Sequence, residues 1–421
     1  MNSKSKGQID YILLIVVSFL ILFGIIMIAS IGVPKSIELT NTAGVSLPEC
    51  GVNGVDCYYL FKKHLFRVLL AAILFFITVR MPLKFWRSVS GFIYIGTLIT
   101  LALLLLFGSS NSTFATAWFT FFGNSIQPAE FGKIAIILYL ARWLENKGKD
   151  VQSFEKGFIS FCVIAGLPIL LLAGQPDFGS ILIYSCITVG MFFLAGARVK
   201  HLAIGLVIAI FVGTIAITTT DYLKYRFGSY FTGSEEFCQV NDEGTARDYC
   251  WQTEQANIAV ASGGFWGRGL TKGVQKSYWL PQASDDFIFA ASAEELGFTR
   301  IIFVLFGFGF IGWRGLQIAK NAPDRYSMFL ATGITLWITM QAFVNIGVNT
   351  GVLPVTGITL PFISYGGSSL MANMIGIGIL LNISRNCNLN YAPTTNRRRN
   401  SRAHNAKPSY HRIYQKDATD D

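Results

Sequence analysis

Apolar runs close to the length of a membrane-spanning helix alternate along this chain with short polar stretches. A hydrocarbon layer about 30 Å thick needs roughly 20 mostly apolar residues in helical form. Runs that meet or approach this length lie at 11–32, 65–80, 89–107, 127–144, 158–174, 178–195, 202–219, 286–313, 327–349 and 366–384. The pattern predicts an all-α, polytopic membrane fold with ten transmembrane helices. Period-two alternation is absent, which argues against an outer-membrane barrel. The first run, Tyr11 to Ile31, is too long for a cleaved signal peptide, and no small-residue cleavage site follows it cleanly.

The basic residues set the orientation. One side collects Lys4 and Lys6, then Arg80, Lys84 and Arg87, then Arg142, Lys147, Lys149 and Lys156, then Arg198 and Lys200, then Arg314, Lys320 and Arg325. The short loops of the opposite side, 108–126, 173–179 and 350–365, hold no Lys or Arg. Both termini are therefore expected in the cytoplasm. Residues 1–10 form a short tail and 11–384 the membrane domain. Two longer segments, 33–64 and 220–285, are expected outside, the second as a cap between helices 7 and 8. The tail at 385–421 is polar and basic, with Arg397, Arg398 and Arg399, and reads as disordered. It suits partner proteins or anionic headgroups, or serves simply as a positive anchor.

Composition agrees with this pattern. Of 421 residues, 52% are hydrophobic and 14% charged, against roughly a quarter charged in soluble domains. A net charge of +10 invites a nucleic-acid reading, but its placement on one set of loops explains it without one. No G-x-x-x-x-G-K-[ST] loop is present, so ATP hydrolysis is not expected. His64, His201, His404 and His411 are scattered, without zinc or haem spacing. Cys162 and Cys186 fall in spans and Cys387 after the last one, while Cys50, Cys57, Cys238 and Cys250 fall in the outside segments. Four cysteines on an oxidising side suit disulfides, and the short loops Cys50–Cys57 and Cys238–Cys250 are the preferred pairing of three; free thiols are the other reading.

Ionisable groups in or beside spans are costly and so are candidates for chemistry. Glu130 and Lys133 share a helix face after Pro128 and precede an apolar run, where they neutralise each other or serve a site. Asp177, in the turn between two spans, suits a helix N-cap as well as a site. Asp285 and Asp286 adjoin the apolar run that also holds Glu294 and Glu295; a like-charged neighbour and burial raise a carboxylate's pKa toward neutrality, where it serves as a base. The segment 354–369, rich in Pro and Gly, resists regular helix and is expected to wall a polar cavity open to the outside. Together these features suit an amphiphile with a charged head and a lipid tail.

The motifs IQPAEFGK, GQPDFGS, ASGGFWGRGL, VQKSYWLPQASDDFIFAASAEELGF and NTGVLPVTGITLPFISYGGSSL resemble those of the shape, elongation, division and sporulation (SEDS) family. The likeness runs from the first helix to Arg385, and Thr359 within Ile358-Thr359-Leu360 leans toward the division branch, since the elongation branch usually has Pro there. The resemblance implies polymerisation of lipid II into peptidoglycan strands at the outer face of the membrane, with undecaprenyl diphosphate released. It assigns the catalytic base to Asp286, with Lys133 and Glu130 beside it, and substrate contacts to Arg67, Asp177, Arg226, Gln255, Lys276, Glu295 and Ser364. It implies a class B penicillin-binding protein and other division proteins as partners, at the septum. No cofactor is assigned beyond an optional divalent cation, Mg or Mn, at the diphosphate. Where the family reads L-P-E-A-H-T-D-F, this chain has Gln282, Ser284 and Asp285 in place of Glu, His and Thr, so the surroundings of the base differ. A lipid II flippase and a non-catalytic division scaffold are the competing readings.

Overall fold

The computed structural model describes residues 9–41, 49–108, 117–121, 124–220, 223–224, 227–228, 230 and 245–387. Nine of the ten apolar runs each fall on a single helix, and the run at 286–313 is divided between two. In chain order the described helices are α1 (Tyr11–Ile31), the short α2 (Val33–Thr40), α3 (Tyr59–Arg80) and α4 (Leu83–Phe107), and then α5 (Pro128–Lys147), α6 (Ser160–Ala173), α7 (Phe178–Leu194) and α8 (Val199–Thr219). Beyond the outer segment come α9 (Thr245–Gly263), α10 (Ile288–Leu296), α11 (Phe298–Lys320), α12 (Arg325–Asn349) and α13 (Gly367–Asn386). Among the described residues the one sheet is a small hairpin, in which Phe119–Phe121 pairs antiparallel with Asn124–Ile126.

Local chemistry sets the helix starts. The Asp10 carboxylate accepts from the Leu13 amide at 3.1 Å, and Asp324 from the Ser327 amide at 2.9 Å, each satisfying an otherwise orphaned donor. Among the described residues seven helices are long and apolar enough to cross a membrane: α1, α4, α6 with the π-helical turn before it, α8, α11, α12 and α13. The apolar α7 is shorter, at 17 residues. Charged residues such as Lys63 and Arg67 on α3, and Glu130 and Lys133 on α5, interrupt two further helices of spanning length. This is a multi-pass membrane protein.

The core lies along α12, which packs against α5, α7, α11 and α13; α13 packs in turn against α3. Most of the apolar window of α12 and α13 is buried inside the protein, 78% and 83%, whereas none of that of α8 is. Several buried polar side chains lie on α12 or α13, among them Gln341, Asn345, Asn349, Ser369 and Asn373.

Several boundaries differ from the sequence pattern, α4 starting at Leu83 rather than 89 and α11 ending at Lys320 rather than 313 among them. Helix α3 begins at Tyr59 rather than 65, so that Lys62 and Lys63 extend the helix past its apolar stretch; long basic side chains tolerate this by keeping their heads in water. The run expected at 286–313 is not one helix. It breaks at Gly297, whose φ of +73° suits glycine and where a Cβ would collide with the backbone of Gly267. Glu294 and Glu295 consequently belong to the short α10 and not to the span. Their two carboxylates bind the preceding loop instead: Glu294 accepts from the Val274 and Gln275 amides at 2.9 and 3.0 Å, and Glu295 from the Thr271 amide at 3.1 Å.

Cys50 and Cys57 form a disulfide, as preferred from their spacing. Cys250 is also disulfide-bonded, and Cys238 lies outside the described residues. Cys162, Cys186 and Cys387 are free thiols.

Candidate functional site

The two aspartates sit on a turn and not on a helix. Between Pro281 and Phe287 the chain folds back on itself, with Gln282 at φ +52° accepting from the amides of Asp285 and Phe287 at 3.0 and 3.3 Å. Three successive carbonyls of this turn are then fastened by neighbouring elements. The Tyr365 amide donates to Ser284 O at 2.9 Å and the Ser364 hydroxyl to Asp285 O at 2.6 Å. The side-chain amides of Asn345 and Asn349, on α12, both donate to Asp286 O, at 2.8 and 2.9 Å. Both aspartate side chains are half-buried. Burial, and next the charge of Asp286, push the Asp285 carboxyl up to about 8; Arg67 and Lys35 pull the other way.

A second charged group opens α5. Glu130 and Lys133 are almost fully buried, and Lys133 Nζ lies 2.7 Å from Glu130 Oε1. The same ammonium donates to Gln341 Oε1 at 2.9 Å and lies 5.9 Å from the centre of the Trp337 ring. Gln341 also accepts from Trp337 Nε1 at 2.8 Å and donates to Thr359 O at 3.1 Å. The other oxygen of Glu130, Oε2, is buried with no hydrogen-bond partner. Thus one face of α12, with Trp337, Gln341, Asn345 and Asn349 four residues apart, carries the Lys133 pair at one end and the aspartate turn at the other.

The remaining candidates divide into two groups. Arg67 belongs with the turn: its guanidinium lies 4.4 Å from the centre of the Tyr365 ring and against Gly367, where a Cβ would come within 2.9 Å of its side chain. Ser364 bridges the turn to its own loop, accepting from the Leu360 amide at 2.8 Å. Lys276 and Glu295 pair with each other instead, 2.6 Å apart and buried, and both bond Ser30 of α1. Asp177 caps α7, accepting from the Ser180 amide at 3.0 Å, and also accepts from Gln127 Nε2 at 3.1 Å. Gln255 is buried on α9. Arg226 lies outside the described residues. Among the described residues no three Asp, Glu, His or Cys side chains converge as a metal-binding group.

Residues 10–389 match the family described as "Cell cycle protein", which joins FtsW, RodA and SpoVE. The chain belongs to this family. Its relatives include stage V sporulation protein E of Bacillus subtilis, 35% identical over 91% of this chain and 99% of that protein. Another is the probable peptidoglycan glycosyltransferase FtsW of Escherichia coli O6:H1, 35% identical over 86% of this chain and 82% of that one. Two solved structures share the fold. A chain described under structural coordination of polymerization and crosslinking by a peptidoglycan synthase complex superposes with a TM-score of 0.69 at 23% identity, covering 90% of this chain and 98% of its own. The rod shape determining protein RodA of Thermus thermophilus does so with 0.63 at 22%, over the same shares.

Motif reasoning within the family named mainly charged residues, with Gln255 and Ser364, and passed over the amides of α12. Gln341 and Asn345 belong to none of the motifs quoted for the resemblance, and Asn349 only opens the last of them, yet the three tie the Lys133 pair, the outer loop and the aspartate turn together. A signal was available: polar residues four apart inside an apolar span fall on one helix face, and a buried amide in a membrane must find partners.

Proposed function

We propose that this protein is a peptidoglycan glycosyltransferase that polymerises lipid II at the outer face of the cytoplasmic membrane during cell division. The observation that carries the reading is the half-buried Asp285–Asp286 pair, held on a fastened turn beside the irregular 350–366 loop. The names borne by its relatives support the same chemistry.

In the reaction Asp286 takes the proton from the 4-hydroxyl of the acceptor lipid II GlcNAc. That oxygen attacks the anomeric carbon of the growing chain from the face opposite the diphosphate. The new C–O bond forms as the bond to the phosphate oxygen breaks, undecaprenyl diphosphate leaves with the electron pair, and the configuration inverts. No covalent enzyme intermediate is required. Arg67 and Lys35, whose charges act on the turn, supply positive field for the leaving diphosphate. A divalent cation, Mg or Mn, is an additional means of neutralising it. Lys133 and Glu130 support the base through Gln341 and α12.

Both termini lie in the cytoplasm in this reading, and a carboxy-terminal fluorescent fusion that lights only in the oxidising compartment would sink that assignment. A class B penicillin-binding protein at the septum is the partner it calls for, in keeping with the synthase complex that shares its fold.

Purified protein in detergent, given lipid II alone, decides between polymerase and flippase. A polymerase makes glycan strands without a second compartment; a flippase or a scaffold makes none. Asp286→Asn is expected to slow strand formation by roughly 10²- to 10⁴-fold, the usual contribution of a general base. An unchanged rate for this variant would remove the base assignment.

A further inference from the structure

Apolar periodicity predicts helix from residue 286, but α10 starts at Ile288. Had the helix extended back, the Ala290 amide would bond Asp286 O. The Asn349 side chain stands in for that bond: its Oδ1 accepts from the Ala290 amide at 2.9 Å and its Nδ2 donates to Asp286 O at 2.9 Å. Each half of the interrupted bond is satisfied, so the chain leaves helical geometry at Asp286 without orphaning a buried polar group.

Asn345, one turn earlier on α12, gives Asp286 O its second donor at 2.8 Å and donates to Ile358 O at 2.7 Å. Asn349 donates as well to Asn345 O at 2.9 Å, and Ser364 secures Asp285 O from the loop side. Both asparagines are buried, with exposures of 1% and 0%. Unmade hydrogen bonds of buried amides are costly, so the pair holds the turn only in the geometry that satisfies all of them.

We propose that Asn345 and Asn349 are positioning residues: by gripping the carbonyl of Asp286 they aim its carboxylate at the acceptor hydroxyl and couple that aim to the outer loop at Ile358. The proposal rests on Asp286 being the base.

The test is steady-state polymerisation of lipid II by the full chain, with melting temperatures recorded in parallel. Asn345→Ala and Asn349→Asp are expected to lower kcat roughly ten- to hundredfold with little change in KM, the scale of a misplaced reacting group. Asn349→Asp is the discriminating variant. It keeps the acceptor for Ala290 and loses the donor to Asp286, so a purely capping role predicts wild-type kcat. Asn382→Ala serves as the control, because its amide likewise holds backbone carbonyls, those of Val79 and Met81 at 2.8 and 2.6 Å. It is expected to lose stability and retain kcat. Should folded Asn345→Ala and Asn349→Asp both keep wild-type kcat while Asp286→Asn is inactive, the positioning role is overturned and the base assignment survives. An active Asp286→Asn would instead remove the underlying reading. If the asparagine variants do not fold, Ser364→Ala decides: loss of kcat supports the clamp and an unchanged kcat overturns it.

Discussion

Asp285 stands where the family usually has threonine, and it brings a second carboxyl to within one residue of the proposed base. Burial and the Asp286 charge raise it from an ordinary 3.8 to about 8, so near neutral pH the Asp285 carboxyl keeps its proton. The folded protein therefore keeps a proton that the unfolded chain releases near pH 4. The stability this group contributes is fully present below about pH 4 and is lost as pH rises through about 8. Between roughly pH 5 and 8 the melting temperature of the wild type should fall relative to that of Asp285→Asn; parallel curves would refute the shifted carboxyl. Lys133 makes a different case. Its ammonium is buried against Glu130 and Gln341, so Lys133→Ala strands a buried carboxylate and should destabilise the protein by about 3–5 kcal/mol. The double variant Lys133→Ala, Glu130→Gln should recover much of that stability in thermal melts. If the double is no more stable than the single, the pair is not the structural unit described.

Elements divide here by what their backbones must bond. The long helices satisfy themselves, and the apolar runs located them well because a bilayer leaves few other choices. The irregular pieces, 264–287 and 350–366, have carbonyls and amides to place, and side chains of α10 and α12 receive them. Glu294 and Glu295 illustrate why this was not legible. In sequence they are two acids in an apolar stretch, which points to chemistry; in the fold they accept three amides of the preceding loop, and Glu295 pairs with Lys276. Their role follows from contacts with residues about twenty positions away, on which helical periodicity is silent. Glu295→Gln should loosen this loop, raising its rate of cleavage by added protease in the folded protein, while the same change at the exposed Glu38 leaves cleavage unaltered. Equal cleavage of both variants would argue against the anchoring role. Lys276 and Glu295 were expected at the substrate; in the fold they pair with each other, while Arg67 packs beside the turn.

At the scale of the molecule, the motifs pointed to the family, while composition and the spacing of apolar runs determined the class of fold and the approximate place of the long apolar helices. These depend on the cost of burying polar surface in hydrocarbon, which is additive along a chain and so can be read from it. The motifs likewise marked Glu130, Lys133 and Asp286. Tertiary structure alone decided how those charges are connected. It broke the run at Gly297, set Asp286 on a turn, and ran a row of amides down α12 between the lysine pair and the aspartates. Such decisions turn on whether each buried donor meets an acceptor brought from elsewhere in the chain, a matter of packing in three dimensions that local sequence does not encode.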